Sequence, residues 1–194
     1  MRTRTEALSR PIVTLGEPPK FEEWPVAQRS AAILHGALLR CGPGVRGIGW
    51  PDDPRIRAAA LTGLLRGRIA TGLTAAWVWG TARQPGQPLQ ANSRFGSRDP
   101  FADTEFLRVR EHRYAETEVT ALGRCTVTTR QRTILDLLYT PEPFGRVEQV
   151  ACRLLGMRVD GGLVRVAEHL HTHRRPYRRR ALERLGSIFD SAAH

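Results

Sequence analysis

Apolar side chains recur at helical spacing in the last third of the chain, and this pattern predicts helices there. In residues 146–155 the apolar positions follow one another at i, i+3, i+4, i+7 and i+8: Val147, Val150, Ala151, Leu154 and Leu155. This spacing places them on one helix face, and we expect that face to pack against a core. The spacing recurs at Leu163, Val166, Ala167 and Leu170, and a last helix is predicted over residues 177–189.

The first third of the chain contains two further predicted helices, each marked by its end signals. Trp24-Pro25 opens the first helix, because proline is favoured in the first helical turn, and the Gly42-Pro43 pair ends it after Arg40. The residues from 45 to 49 follow as a short extended segment. Asp53 and Pro54 then form a second helix start, with Asp53 as the N-cap.

Strands are predicted in the middle of the chain, between shorter helices. The extended segments are Ile69–Ala70, Leu89–Asn92, Glu105–His112 and Arg124–Val127. Helices are predicted at Leu73–Trp79 and at Arg130–Tyr139, and the Gly- and Ser-containing stretch 95–103 is predicted to be a mobile loop. The order of helices, then strands, then helices is typical of an α+β fold.

Two pairs of side chains inside these elements are expected to be structural. Trp77 and Trp79 are predicted to pack in the core, since large aromatic side chains dominate core energetics. Thr129 is predicted to cap the helix that follows it, and Arg132 and Asp136 stand at i, i+4 within that helix. We expect the two charges to pair on its exposed side.

Charge is the most informative feature of the composition. The chain has 194 residues, of which 30 are basic and 19 acidic, so its net charge is +11. Every basic residue except Lys20 is arginine, and the segment 174–180 is the densest run of them. Clustered positive charge of this kind is the electrostatic footprint of a nucleic-acid-binding protein.

Two classes of protein are disfavoured by what the sequence lacks. No apolar run approaches the ~18–20 residues that span a bilayer, and no apolar stretch follows the first residues as in a secretory signal. Cys41, Cys125 and Cys152 form no CxxC pair, which argues against a zinc site and against a disulfide framework. We therefore expect a cytoplasmic protein without membrane contact.

Catalytic and metal-binding chemistry is also not expected. His169, His171 and His173 are the one metal-like cluster, and with no matching carboxylate or thiol set they are predicted to form an exposed helix end. No GxSxG motif or other known nucleophile motif is present. The sequence therefore predicts no enzyme activity, no cofactor and no bound metal.

Three segments in order resemble motifs of the AbiEi family of antitoxins, in the form common in high-GC bacteria. Residues 53–60 are similar to the family's DPxxRAxA helix start. Residues 71–80 are similar to its LSxxTAAxLWG segment, and residues 127–137 to its VTxPxRTxxDLA segment, with Arg130 in place of the proline. The resemblance covers roughly residues 50–185.

The resemblance implies a two-part α+β architecture. After a poorly ordered lead-in (1–23), residues 24–52 would form a degenerate N-terminal winged helix-turn-helix that binds DNA. Residues 53–194 would form an AbiEi-like domain, a small antiparallel or mixed sheet packed with C-terminal helices and a basic helical end. Some relatives continue into a nuclease domain, which is not expected here because the chain stops where it would begin.

The implied function is a DNA-binding transcriptional regulator of the antitoxin type, acting by binding and not by catalysis. Its partners would be double-stranded DNA and a nucleotidyltransferase-like toxin, and a homodimer is left open. From the helix and wing, the DNA-contacting residues are predicted to be Arg29, Arg40 and Arg46. From the basic run, the predicted phosphate or toxin contacts are Arg174, Arg175, Tyr177, Arg178, Arg179 and Arg180.

Two alternatives stand beside this interpretation. Residues 21–50 carry few of the basic side chains that stud the family's recognition helix, so the chain is alternatively a protein-interaction module that has lost DNA binding. The run at 174–180 is alternatively a solvated connection between two helices rather than a phosphate-binding patch.

Overall fold

The computed structural model describes residues 16–93, 104–141, 143–173 and 175–190. Within them the helices are α1 Val26–Leu34, α2 Pro54–Leu65, α3 Gly72–Val78, α4 Arg130–Tyr139, α5 Arg146–Gly156, α6 Gly162–Thr172 and α7 Arg178–Asp190. The strands are β1 Leu38–Cys41, β2 Gly44–Gly47, β3 Ile69–Ala70, β4 Leu89–Asn92, β5 Leu107–Arg110, β6 Val119–Leu122 and β7 Cys125–Thr128. Short 3-10 turns occur at Phe21–Glu23 and Glu116–Glu118. The predicted loop at 95–103, most of the lead-in and Arg174 lie outside the described residues.

The strands form two sheets, and the larger one is mixed. β1 and β2 pair as an antiparallel hairpin, whereas the five-stranded sheet has the order β5-β4-β3-β7-β6. Within it, β3 pairs in parallel with β7 and β4 in parallel with β5, and the other two pairings are antiparallel. The predicted α+β class is confirmed, and the sheet is of the mixed kind.

The core forms where helices α2 to α7 pack on one another and on the short central strands. The helix starts follow the sequence signals: Asp53 accepts a hydrogen bond from the Ile56 N–H at 2.9 Å, and Thr129 accepts one from the Arg132 N–H at 3.4 Å. Trp79 is buried, as predicted, and its indole N–H donates to the carbonyl of Thr128 at 2.9 Å. This bond ties α3 to the end of β7.

The first helix is shorter than the sequence predicts. It ends at Leu34, because Gly36 adopts a left-handed φ of 72° that turns the chain back. The residues expected to be its last turn form strand β1 instead, in which Leu38 and Cys41 are buried. A short apolar run fits either a helix or a strand, and here pairing with β2 decides the outcome.

Helix α5 is where the sequence predicts it, but it buries only part of the predicted face. Of the predicted stripe, Ala151 and Leu155 are buried, but Val147, Val150 and Leu154 are 58%, 42% and 39% exposed, so the prediction that the whole stripe faces the core is wrong in part. The buried residues of the helix are Ala151, Cys152, Leu155 and Gly156. The small residues Ala151, Cys152 and Gly156 let α5 approach α4 and α7 closely, and Val147, Val150 and Leu154 remain on the outside.

Candidate functional site

Helix α1 and the hairpin after it contain the three arginines predicted to contact DNA from the N-terminal part. No residue of α1 is fully buried; Arg29, Ala32 and Ile33 are half-buried, and Gln28 and Ser30 are exposed. Arg29 therefore belongs to the side of the helix that packs, and Gln28 belongs to the side that faces outward.

The hairpin separates the other two arginines. Directly opposite residues of an antiparallel pair project to the same face, and here Arg40 is opposite Val45 whereas Arg46 is opposite Leu39. Arg40 and Arg46 consequently project from opposite faces. The structure brings Arg46 together with Arg29, since both line one hollow of about 250 Å³, where Arg46 also donates to the carbonyl of Trp50 at 2.6 Å.

The arginines of the basic run before and within α7 have different partners in the fold. Arg178 donates to the carbonyl of His171 at 3.3 Å, and Arg180 donates to that of Tyr139 at 3.3 Å. Both carbonyls stand near helix C-termini, where cationic donors are favoured by the helix dipole and satisfy unpaired acceptors. Arg179 forms an exposed ion pair with Glu183 at 3.0 Å. Three of the predicted phosphate contacts thus have partners within the fold.

The start of the run has a different setting. Tyr177 is 70% exposed with a left-handed φ of 63°, and the Arg180 guanidinium stands 4.9 Å from the centre of its ring. Arg175 lines a separate pocket together with Pro176, and no hydrogen bond or ion pair of its side chain is found among the described residues. Among its described members the run is therefore not one continuous patch, and Arg175 is the arginine of these that lines this pocket.

This cavity, which we call the arginine pocket, has a volume of about 320 Å³. Three parts of the chain supply its charged side chains, and its lining also includes Thr71, Gly72, Gln90 and Ala91. Strand β5 and the extended residues after it contribute Arg108, Arg110 and His112, which share one side because alternate residues of a strand do. Helix α4 contributes one face, with Arg132, Asp136 and Tyr139 at i, i+4 and i+7. The third part is the connection at Arg175-Pro176.

A buried charge network forms the floor of the arginine pocket. The Arg132 side chain reaches Asp136 at 2.7 Å and Glu118 at 3.0 Å, and its guanidinium stands 4.9 Å from the centre of the Tyr114 ring. The Tyr114 hydroxyl donates to Asp136 at 3.1 Å. Arg132 is 5% exposed, so the predicted pairing with Asp136 is present, but the prediction that it lies on the exposed side is wrong.

The pKa values in this network follow from burial and charge. Burial, followed by the neighbouring Asp136 carboxylate, raises the pKa of Tyr114 far above its usual range. Burial likewise raises the pKa of Asp136 against the opposing effect of Arg132. Burial also acts to raise the pKa of Glu118, but the Ala115 N–H and Arg132 outweigh it, and the pKa of Glu118 is lowered.

His112 occupies the wall of the pocket with one ring nitrogen unused. Its backbone is fixed by the buried Asn92 side chain, which accepts from the His112 N–H at 2.8 Å and donates to the His112 carbonyl at 2.6 Å. Its Nε2 is buried and has no hydrogen-bond partner in the part of the chain that the structure describes. Burial, Arg132 and Arg175 all lower the pKa of His112.

The sequence carries a signal for part of the arginine pocket. Arg108, Arg110 and His112 alternate within the predicted strand Glu105–His112, which places three basic or titratable side chains on one side. The i, i+4 spacing of Arg132 and Asp136 predicts their pairing. What no local pattern shows is that Arg175 closes the same cavity, because its segment is brought there by the packing of α7 on α4.

A second concave surface, which we call the α5 groove, has a volume of about 770 Å³. One wall is the exposed stripe Val147, Val150 and Leu154, and the other is the segment 80–84 after α3. Basic side chains stand at its edges, namely Arg57, Arg83 and Arg146. Among the described residues that line it, none is acidic.

The histidine cluster forms a stacked pair at the end of α6. The rings of His169 and His173 have centroids 4.1 Å apart, and His173 Nδ1 lies 3.1 Å from the His169 carbonyl oxygen. In the described residues, no group of three or more His, Cys, Asp or Glu side chains is arranged to hold a metal ion. Nor does any described helix have the length and apolar character required to cross a membrane.

Comparison with known proteins assigns no family to the chain. No family model, no curated protein and no solved structure matches it.

Proposed function

We propose that the chain is a DNA-binding transcriptional regulator of the AbiEi antitoxin type, which acts by binding and not by catalysis. The observation that carries the proposal is the exposed helix α1 followed directly by the β1–β2 hairpin. This is the order of a recognition helix and its wing in a winged helix-turn-helix. The described residues before α1 include only the 3-10 turn Phe21–Glu23 where such a module has a helix, so the module is degenerate.

Three further features support DNA as the partner. The net charge of +11 favours a polyanion. Arg40 is exposed on one face of the hairpin, where a wing contacts the phosphate backbone. Gln28 stands on the outward side of α1, and a glutamine side chain can bind the edge of adenine through two hydrogen bonds. A nucleotidyltransferase-like toxin, encoded beside this chain, remains the proposed protein whose action it opposes.

Fluorescence anisotropy with a duplex from the chain's own promoter, and with a scrambled duplex, tests the proposal. With about 4–8 phosphate contacts, we expect affinity to fall by roughly 10²–10⁴ between 50 and 200 mM salt. Arg40→Ala should weaken both duplexes alike and reduce the salt slope by about one. Gln28→Ala should instead reduce the preference for the promoter duplex. Arg83→Ala, which removes an exposed arginine from the α5 groove, serves as the charge-matched control.

Two results would contradict the regulator proposal. Near physiological salt, non-specific DNA binding has a Kd of about 10⁻⁴–10⁻⁶ M. If neither duplex binds in that range, the regulator proposal fails. If Arg83→Ala flattens the salt slope as much as Arg40→Ala, the attraction is spread over the whole surface and the hairpin is not the binding element.

A protein-interaction module is the second candidate, and the α5 groove is the observation that favours it. A stripe of Val147, Val150 and Leu154 beside basic edges suits an amphipathic helix with acidic flanks. The test is calorimetric titration with the product of the adjacent gene. Val150→Asp should abolish binding, whereas Val164→Asp, on the exposed side of α6, should not. Equal binding by both variants would exclude the groove as the interface.

A further inference from the structure

We propose that the arginine pocket binds a phosphate group carrying two negative charges, as in inorganic phosphate or a phosphomonoester such as a nucleotide. The inference is independent of the proposal that the chain binds duplex DNA, because the α1–hairpin unit contributes no residue to this pocket. It rests on the charge, the donors and the enclosed shape of the pocket.

The charge of the lining favours an anion. Four guanidinium groups line the pocket, against two carboxylates, Glu111 and Asp136. Asp136 is already engaged by Arg132 and by the Tyr114 hydroxyl. Arg132 is also paired with Glu118, and Arg110 donates to Thr140, so the lining guanidinium with no side-chain hydrogen bond or ion pair among the described residues is that of Arg175. Its charge stands in a hollow with partly buried walls, where water screens it less than on an open surface.

The donors come from three sides, and this arrangement suits a phosphate better than a carboxylate. Arg108 and Arg110 stand on the β5 side, Arg132 on the α4 side, and Arg175 on the connection before α7. A planar carboxylate has two oxygens in one plane, whereas a phosphomonoester has three terminal oxygens that can face three walls at once. Arg110 is held in place by donating to the Thr140 hydroxyl at 3.2 Å, so its orientation is set before a ligand arrives.

His112 provides a further, titratable contact. Its buried Nε2 has no partner among the described residues, and a polar atom in that state is usually completed by a ligand or a water molecule. With Arg132 and Arg175 nearby the ring favours its neutral form. A phosphate dianion beside Nε2 reverses that balance and draws a proton onto the ring, so ligand binding and His112 protonation are linked.

The primary test is calorimetric titration with inorganic phosphate and with AMP, using adenosine as the ligand without phosphate. We expect phosphate and AMP to bind and adenosine not to bind. Arg175→Ala should weaken both at least tenfold. Arg179→Ala is the matched control, since it removes an arginine from the same run that is exposed and paired with Glu183. Circular dichroism melting of both variants confirms that each is folded.

A second readout follows the His112 ring by NMR. Phosphate should raise the pKa of His112 in the original chain, and His112→Gln should remove that titrating signal. Short duplexes with and without a 5′-phosphate distinguish the source of the ligand. A 5′-phosphate that competes with AMP identifies a strand end as a ligand, whereas no competition restricts the pocket to small phosphomonoesters.

Three results would overturn the inference. The first is no heat and no shift of the His112 signal with phosphate or AMP at millimolar concentration. The second is an equal loss of affinity in Arg175→Ala and Arg179→Ala, which would mean a diffuse attraction to the basic run. The third is binding of adenosine as tight as that of AMP, which would remove the phosphate from the interaction.

Discussion

Arg132 illustrates how a charged side chain becomes part of a protein interior. It has 5% of its surface exposed, yet it contacts two carboxylates and one aromatic face. Taking a guanidinium out of water is costly unless its charge and its donors are satisfied. Here Asp136 comes from the same helix, whereas Glu118 and Tyr114 come from the chain before β7. The pair therefore depends on tertiary structure that surrounds it.

Breaking this pair should destabilise the protein strongly. Arg132→Met leaves the Asp136 carboxyl buried without its cation, and we expect a loss of about 3–5 kcal/mol of unfolding free energy. Arg179→Ala, which breaks an exposed pair, should cost no more than about 1 kcal/mol. Urea unfolding measures both. The double variant Arg132→Met, Asp136→Leu should recover part of the loss, because it removes the buried Asp136 charge and leaves only the partly exposed Glu118 without its cation; no recovery would mean that shape dominates.

His112 should make stability depend on pH in a defined direction. Burial and the two arginines hold its folded pKa below the unfolded value of about 6.5. Between these two values the unfolded chain binds more protons, so stability present above pH 6.5 is lost as the pH falls. We expect His112→Gln to lose less unfolding free energy than the original chain between pH 7.5 and 5.5. Equal losses in urea unfolding would assign the dependence to other groups.

At the scale of single elements, a hydrophobic stripe does not by itself say which face of a helix is buried. In α5 the branched side chains Val147, Val150 and Leu154 line the groove, and the small residues Ala151 and Cys152 pack inside. Burial follows the fit between neighbouring helices as well as the hydrophobicity of each position.

Aspartate substitutions at Val150 and at Leu155 test which face of α5 is buried. Val150→Asp should cost about 1 kcal/mol or less, because the side chain is 42% exposed. Leu155→Asp should cost at least about 3 kcal/mol, because Leu155 is completely buried and an aspartate there has no partner. Thermal unfolding of the two variants compares them directly. Comparable destabilisation by both would mean that the Val150 face is covered in solution.

Local signals in the sequence predicted most elements, and the reasons for the failures are physical. Asp53 and Thr129 are helix caps in the structure as in the sequence, because a capping side chain acts within its own turn. The helix predicted to reach Arg40 ends early, because a left-handed glycine and a partner strand override the apolar pattern. β6 was not predicted, since its residues show only weak alternation and it pairs with β7.

At the scale of the whole molecule, the α+β class was predictable but the site was not. Element order indicates the class, whereas the arginine pocket combines charged side chains from β5 and the residues after it, from α4 and from the connection before α7. The alternation of Arg108, Arg110 and His112 in the sequence indicates the side of the pocket that the strand forms. The contribution of Arg175 required the three-dimensional arrangement, because sequence distance carries no information about which segments pack together.

The three thiols report on the integrity of the whole structure. Cys41, Cys125 and Cys152 are buried, and burial raises the pKa of each, to about 12 for Cys125. Since the thiolate is the reactive form, we expect all three to react slowly with a thiol reagent in the folded protein and rapidly in urea. Rapid reaction of Cys41 alone in native buffer would show that the hairpin opens independently.

The position of β3 in the sheet has a consequence for synthesis of the chain. β3 pairs with β4 on one side and with β7 on the other, and β7 lies much later in the sequence. While the ribosome is still adding the intervening residues, one edge of this short strand has unpaired backbone groups, and such edges invite association with other chains. Bringing β3 and β7 together also closes a long loop, and the entropic cost of that closure slows the pairing of the two strands. We therefore expect a chain that ends before β7 to keep this edge of β3 open and to associate with other chains more readily than the full protein does.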